Sequence, residues 1–140
     1  MKVSTIIAGC ALWLSMAATG YAIQECKGGD RAARGITCVV DGDTLWVNGE
    51  KLRMLEIDAP ETYGAACGRE RRMGEAAKAR LIALMDRGYR IEYSGEKDRT
   101  ADHRQLVRVI LNDGRDAGEV LLRERLAQPW PNKGNIWCDR

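Results

Sequence analysis

The sequence predicts an α+β domain with five β-strands and two helices. Short β-branched or alternating stretches around an Asn-Gly turn predict the first strands. One longer stretch, in which apolar residues recur every three or four positions, predicts a helix. A capping signal followed by apolar residues predicts a second helix further along the chain. Periodicity alone supports this class and no finer architecture.

The strands are predicted from composition, alternation and turn signals. Asn48-Gly49 is the strongest short signal for a hairpin, and apolar or alternating residues lie on both sides of it. Alternation after this turn places Leu52 and Met54 on one face of a strand and Arg53 on the other. The predicted strands are residues 36–40, 44–47, 51–57, 89–93 and 105–111.

Two helices are predicted from apolar spacing and end signals. The first covers residues 69–87 and ends at Gly88. Its apolar face consists of Met73, Ala77, Leu81 and Leu84. The second begins at Asp116, with Glu119 three residues later in a capping-box-like arrangement.

The start of the chain indicates export. Residues 1–22 have a charged beginning at Lys2, an apolar run and a small-residue end at Ala22, which is typical of a cleaved secretory signal. A lipid anchor at Cys10 is the second-ranked alternative, because the apolar run before it is short. Residues 23–140 remain, enough for one domain with one core. We expect a monomer in the periplasm or the medium, without stable membrane association.

Cysteine content agrees with export. After signal removal four cysteines remain, and an even number in a small exported chain predicts two disulfides. The spacing fits no zinc motif, and His103 is the only histidine. Four cysteines allow three pairings. We favour Cys26 with Cys38 and Cys67 with Cys138, because the second bridge would hold the C-terminal tail against the loop after Glu61; four free thiols are the alternative for a chain that is not exported.

One short region carries a concentration of charged side chains suited to phosphate chemistry. Its four carboxylates are Asp41, Asp43, Asp58 and Glu61, and Arg53 lies between them in the sequence. Carboxylate oxygens suit a hard cation such as Ca²⁺ or Mg²⁺, and an arginine fork suits a phosphate. The formal net charge of +2 is close to neutral, so affinity for nucleic acid would depend on where the charges lie. Cleavage of a phosphodiester is the chemistry that this composition suggests.

The order of these motifs resembles the staphylococcal nuclease-like, or thermonuclease, domains. The matching pieces are Asp-Gly-Asp-Thr at 41–44, the strand arginine at 53, Asp-Ala-Pro-Glu at 58–61, an arginine before the strand at 105–111, and Asn-Ile-Trp at 135–137. The resemblance covers about residues 36–137, implies a five-stranded Greek-key barrel of the OB type, and implies that the second helix extends to about residue 127. The proline-rich stretch 128–134 is too short for the long third helix of that family.

The resemblance also implies a site and a reaction. The residues that would hold Ca²⁺ are Asp43, Asp58 and Ala59, the last through its backbone carbonyl. Those that would act on the phosphodiester are Arg53, Glu61 and Arg104, with Glu61 as general base and the arginines on the phosphate. Asp41 would lie beside the metal. The implied substrate is DNA or RNA, with 3′-phosphate products and a preference for single strands.

Alternatives to a nuclease remain open from the sequence. The stretch 100–103 before Arg104 lacks the tyrosine and glycine usual in the family. A non-catalytic nucleic-acid-binding module of the same fold is the first alternative, and a secreted protein-interaction domain is the second. Trp130 is expected either to stack on a nucleobase or to cover one end of the barrel.

Overall fold

The computed structural model describes residues 22–100 and 102–138, which form an α+β domain. Seven strands and two helices occur within these residues. The predicted signal segment, apart from Ala22, and the alternative anchor at Cys10 lie outside the described part of the chain. Among the described residues, no helix is long and apolar enough to cross a membrane.

Five strands form one mixed sheet. They are β1 (Cys38–Val39), β2 (Thr44–Val47), β3 (Glu50–Met54), β5 (Tyr89–Lys97) and β6 (Gln105–Leu111). The sheet order is β1-β2-β3-β6-β5, with β3 and β6 parallel and the other neighbours antiparallel. A second, two-stranded sheet pairs β4 (Ile57–Asp58) with β7 (Gln128–Pro129). The small sheet brings the C-terminal segment to the end of β3.

The third predicted strand is divided between the two sheets. It was expected to be continuous over 51–57, but β3 ends at Met54 and the chain turns before Ile57. Glu56 has a φ of 63°, a left-handed conformation that interrupts a β-ladder. The turn redirects Asp58 toward the end of the sheet, where the candidate site lies.

The sheet does not close into a barrel. Within the described residues, β1 and β5 are its outermost strands; β5 pairs with β6 alone, and the outer edge of β1 has only an isolated bridge to Glu25. β1 has two residues rather than the five expected, whereas β5 extends to Lys97 with an irregularity after Tyr93. The predicted α+β class with two helices and five strands in one sheet is confirmed, and the OB-type barrel is not.

Both helices lie close to their predicted positions. Helix α1 covers Gly68–Met85 and its N-cap is Cys67, whose sulfur accepts from the backbone N–H of Glu70. Helix α2 covers Ala117–Arg123, and the Asp116 side chain caps it by accepting from the N–H of Gly118. It ends four residues before the predicted end. The predicted capping residue of α2 is therefore confirmed, whereas its length was overestimated.

The core lies between the large sheet and the helices. Most of the largest buried side chains come from β2, β3, β6, α1 and α2, and include Leu45, Leu52, Met54, Leu81, Met85, Val107 and Leu121. Two disulfides join Cys26 to Cys38 and Cys67 to Cys138, as the favoured pairing predicts. The second disulfide connects the N-terminus of α1 to the C-terminal segment.

Candidate functional site

Close packing around Gly42 positions the first carboxylate. A Cβ at Gly42 would lie 2.7 Å from both the Ala59 and the Ala77 Cβ atoms, so only glycine allows this approach. The turn between β1 and β2 thereby packs against both α1 and the residue after β4. Asp43 follows this glycine and is brought directly to the backbone of Ala59.

Asp43 is buried and fully engaged by hydrogen bonds. It is 4% exposed. Its Oδ2 accepts from the N–H of Ala59 at 2.8 Å, and its Oδ1 accepts from the Thr44 hydroxyl at 2.9 Å. Arg53 donates to the same Oδ1 from Nη1 at 3.3 Å. A buried carboxylate requires such partners, and here they also fix its direction.

Arg53 connects the two predicted metal-binding carboxylates. It lies opposite Thr44 in the β2–β3 ladder, which places its side chain beside Asp43. Its Nη1 contacts Asp43 Oδ1 at 3.3 Å, and its Nη2 contacts Asp58 Oδ1 at 3.4 Å. One guanidinium group is therefore shared by two carboxylates that are distant from each other in the sequence. The predicted residues Asp43, Arg53, Asp58 and Ala59 are brought together.

The C-terminal segment completes the surroundings of Asp58. Asp58 Oδ2 accepts from Gln128 Nε2 at 2.9 Å and from Asn132 Nδ2 at 2.8 Å. The Arg53 guanidinium carbon lies 5.8 Å from the centre of the Trp130 ring. The roles of Gln128 and Asn132 were not anticipated. Their only signal in the sequence is a pair of amide side chains flanking a Pro-Trp-Pro segment.

Arg104 reaches the site through Thr44. Its Nη1 donates to the Thr44 hydroxyl oxygen at 3.3 Å, and that hydroxyl in turn donates to Asp43. Asp98 holds the same arginine, accepting from Nε at 2.7 Å and from its backbone N–H at 2.9 Å. The side chains of Arg104 and Asp98 are 13% and 8% exposed. Arg104 is therefore held by an anion of its own, which sequence reasoning missed.

The charge state of Asp98 follows from this contact. Burial raises the pKa of this carboxyl, but the hydrogen bonds from Arg104 and Thr100 outweigh burial and lower the pKa below its ordinary value. Asp98 is consequently ionised throughout the neutral range. The pair presents a fixed guanidinium whose Nη1 donates to Thr44.

Glu61 is placed beside the carboxylates by helix α1. A Cβ at Gly74 would lie 2.7 Å from the carbonyl oxygens of Pro60 and Glu61, so α1 contacts this backbone directly. The buried Glu70 accepts from the N–H of Glu61 at 3.4 Å. Glu61 itself is exposed. Partial burial of its carboxyl and the negative charge of Asp43 raise its pKa, while Arg53 opposes the increase.

Asp41 adds a further carboxyl next to Asp43. Its Oδ1 accepts from the backbone N–H of Asp43 at 3.3 Å. Burial raises the pKa of Asp41 to about 7, with further contributions from the charge of Asp43 and of Glu61. Four acidic groups thus interact around one arginine. Their mutual repulsion favours the uptake of either a proton or a cation.

The chemistry of these residues fits a hard cation. The donors are oxygens, two carboxylates converge on one positive group, and two more acids are nearby. Within residues 22–100 and 102–138, no group of three or more His, Cys, Asp or Glu side chains is already arranged around a common metal position. A cation between Asp43 and Asp58 would have to displace Arg53 from at least one of them.

No protein-family model matches this chain, and no curated protein matches it either. What the site can do follows from its own side chains. Convergent carboxylates can hold a cation, two arginines can bind a phosphate, and an exposed carboxyl with a raised pKa can accept a proton. These groups lie next to one another on one face of the domain.

Proposed function

We propose that the protein is an exported, calcium-dependent nuclease that hydrolyses phosphodiester bonds of DNA or RNA and leaves 3′-phosphate ends. The observation that most supports this proposal is one continuous polar network. It runs from Asp58 through Arg53 to Asp43, and from Asp43 through Thr44 to Arg104. A network that links carboxylates to two arginines offers places for a cation and a phosphate side by side.

The two arginines would bind the scissile phosphate. Guanidinium groups cannot lose their proton at ordinary pH, so they remain positive while charge accumulates on the phosphate oxygens. Asp43 and Asp58 hold Arg53, whereas Asp98 and Thr44 hold Arg104, which keeps both arginines at fixed positions. Preorganised positive charge of this kind stabilises the transition state without further reorganisation.

A calcium ion would be held by Asp43, Asp58 and the backbone carbonyl of Ala59. When bound, it would supply positive charge beside the phosphate. Asp41 lies behind Asp43 and would orient it through the Asp43 N–H. The ion is compatible with the oxygen-only donor set of these residues.

Glu61 would act as the general base. A base works best when its pKa approaches the working pH, and both burial and Asp43 raise the pKa of Glu61 in that direction. Its exposure leaves it open to an attacking water. The hydrogen bond from its N–H to Glu70 and the contact with Gly74 keep its backbone in place.

The finer architecture and the destination of the chain belong to the same proposal. The parallel β3–β6 pairing and the sheet order are compatible with an OB-type Greek-key domain, a fold whose barrel is partly open. Two disulfides are compatible with an oxidising compartment, in keeping with export. We propose a monomer acting in the periplasm or the medium.

The test is cleavage of denatured DNA and of RNA by the protein without residues 1–22, with Ca²⁺, with Mg²⁺ and with chelator. We expect calcium-dependent cutting that is lost in Glu61→Gln. Glu96→Gln is the matched control, because Glu96 lies exposed on β5. We expect this control to cut like the unmodified protein, and mass spectrometry of the products should find 3′-phosphates.

The same assay separates the enzyme from the binding module. Absence of cutting together with salt-sensitive binding of single strands would favour a non-catalytic nucleic-acid-binding domain. Equal cutting by Glu61→Gln and by the unmodified protein would remove Glu61 from the mechanism. If the protein neither cuts nor binds nucleic acid, then nucleic acid is not its substrate.

A further inference from the structure

A groove of about 530 Å³ adjoins the candidate site at Arg104. Its lining includes an aromatic ring, two lysines and a histidine, contributed by Trp46, Lys51, Lys97 and His103. Arg104 belongs to both places, because it lines the groove and its Nη1 also donates to the Thr44 hydroxyl oxygen at 3.3 Å. The groove therefore begins where the proposed phosphate site ends.

The β2–β3 ladder places the groove in line with the site. Thr44 lies opposite Arg53, and Trp46 lies opposite Lys51. Alternate residues of a strand face the same side, so these four side chains share one face of the hairpin. Two residues along a strand span about 7 Å, which is a single-nucleotide step along an extended chain. A strand whose phosphate lies at the arginines could place its next nucleotide at Trp46.

The side chains in the groove suit a nucleotide. Trp46 is partly buried, and the Arg31 guanidinium carbon lies 5.8 Å from the centre of its ring. The guanidinium lies over one face of the ring, so a base would stack on the opposite face. Lys51 pairs with Asp102 at 2.7 Å, with side chains that are 35% and 54% exposed. An exposed ion pair contributes little, so Lys51 can exchange Asp102 for a phosphate.

We propose that this groove binds the nucleotide next to the scissile phosphate, with an unpaired base on Trp46 and a phosphate on Lys51. The inference rests on the proposed function and adds to it a position for the neighbouring nucleotide. Bases inside a duplex are already stacked and paired, so they cannot lie on Trp46 without being extruded.

A second groove provides a matched control. It has a similar volume, about 470 Å³, and its lining includes the cationic side chains of Arg80, Arg87 and Arg115. Among the described residues that line it, none is aromatic and none belongs to the candidate site. Arg87→Ala therefore removes an exposed positive charge from a comparable groove that lacks the features on which the proposal depends.

The experiment measures binding of a short labelled oligonucleotide by fluorescence anisotropy, in chelator and at low salt, so that it stays uncut. We expect Trp46→Leu to weaken single-strand binding about tenfold, as loss of one stacked base would. We expect Lys51→Ala to reduce the slope of log affinity against log salt by about 0.7, the contribution of one phosphate on a single strand. Arg87→Ala should change affinity less than twofold.

Inorganic phosphate and duplex DNA complete the test. The affinity for inorganic phosphate, obtained from its competition with the oligonucleotide, should be unchanged in Trp46→Leu, because phosphate contacts the arginines and not the ring. A changed phosphate affinity would contradict the role assigned to Trp46. Duplex of the same sequence should bind more weakly than the single strand. Unchanged single-strand binding in both groove variants, with binding lost in Arg104→Ala, would overturn the groove and leave the proposed function standing. Absence of binding by the unmodified protein would overturn both.

Discussion

The surroundings of Arg53 and Arg104 differ although both arginines face the same site. Arg53 is shared by two carboxylates at 3.3 and 3.4 Å, and both of these are candidate metal ligands. Arg104 has one short contact to Asp98 at 2.7 Å, and Asp98 takes no other part in the site. One arginine is bound to the groups that a cation would need, and the other is bound to an anion of its own.

This difference separates two tasks that the same residue type can perform. The positive charge of Arg53 compensates the negative charges of Asp43 and Asp58. Arg53 can therefore bind a phosphate only to the extent that another positive group, such as a cation, compensates these two carboxylates. The position of Arg104 does not depend on those carboxylates, because Asp98 compensates it separately. Arg53 is therefore coupled to cation binding, whereas Arg104 is a fixed part of the phosphate site.

The largest expected effect is common to both arginines. We expect Arg53→Ala and Arg104→Ala each to reduce the rate of cleavage in Ca²⁺ by about 10² to 10³, the cost of removing one preorganised charge from a transition state. Steady-state kinetics on denatured DNA measure this. An unchanged rate in either variant would remove that arginine from the phosphate site.

Calcium affinity should separate the two arginines. Removal of Arg53 leaves Asp43 and Asp58 without their shared positive group, so we expect Arg53→Ala to bind Ca²⁺ about ten times more tightly. Arg104→Ala should leave calcium affinity within about twofold. Isothermal titration without nucleic acid reports binding independently of activity. Equal affinities in the two variants would contradict the coupling of Arg53 to the cation.

The sequence predicted the first half of this site better than the second. Asp41, Asp43, Arg53 and Asp58 lie in one short stretch, where composition indicates a charged cluster and the resemblance to thermonuclease domains implies that these side chains form one site. The change of direction at Glu56 was not predicted, because a left-handed glutamate has no reliable signal in a single sequence. The order of motifs therefore pointed to the carboxylates but not to the separate small sheet that carries Asp58.

The missed contacts are those between distant parts of the chain. Gln128 and Asn132 meet Asp58 from about 70 residues away, and no periodic pattern encodes such a pairing. Asp98 lies six residues before Arg104, but the geometry of the intervening loop decides whether they meet. The OB-type barrel is not confirmed for a similar reason, since barrel closure depends on edge-to-edge pairing that strand patterns do not specify.

Asp98→Asn tests whether the separate anion matters. We expect about tenfold slower cleavage, because Arg104 loses its charged partner but keeps a hydrogen-bond acceptor. Stability should fall by about 1 to 3 kcal/mol at pH 7. Because the pKa of Asp98 is lowered in the folded protein, its carboxylate stabilises the fold fully at pH values above the ordinary aspartate pKa of about 3.9. This stabilisation is lost as the pH falls through the lower pKa of the folded protein. Urea unfolding should therefore show that the unmodified protein has a higher free energy of unfolding than the variant at pH 7. This difference should become smaller in acid.

The smallest expected effect concerns the aromatic ring beside Arg53. Trp130 is 52% exposed, and an exposed cation–π contact contributes about 0.5 to 1 kcal/mol, so Trp130→Ala should slow cleavage about two- to fivefold. Tyr63→Ala is the control, since Tyr63 is 97% exposed and should tolerate the change.

The kinetic form of the Trp130 effect decides between two roles. If the ring holds Arg53 in position, kcat falls and KM stays nearly constant, because the loss is felt in the transition state. If the ring stacks on a nucleobase instead, KM rises with kcat unchanged, because substrate and transition state lose the same contact. A fall in kcat should also be accompanied by a measurable change in calcium affinity, since Arg53 is the group that competes with the cation for Asp43 and Asp58. A rise in KM alone would separate Trp130 from Arg53 and add it to the nucleotide-binding surface.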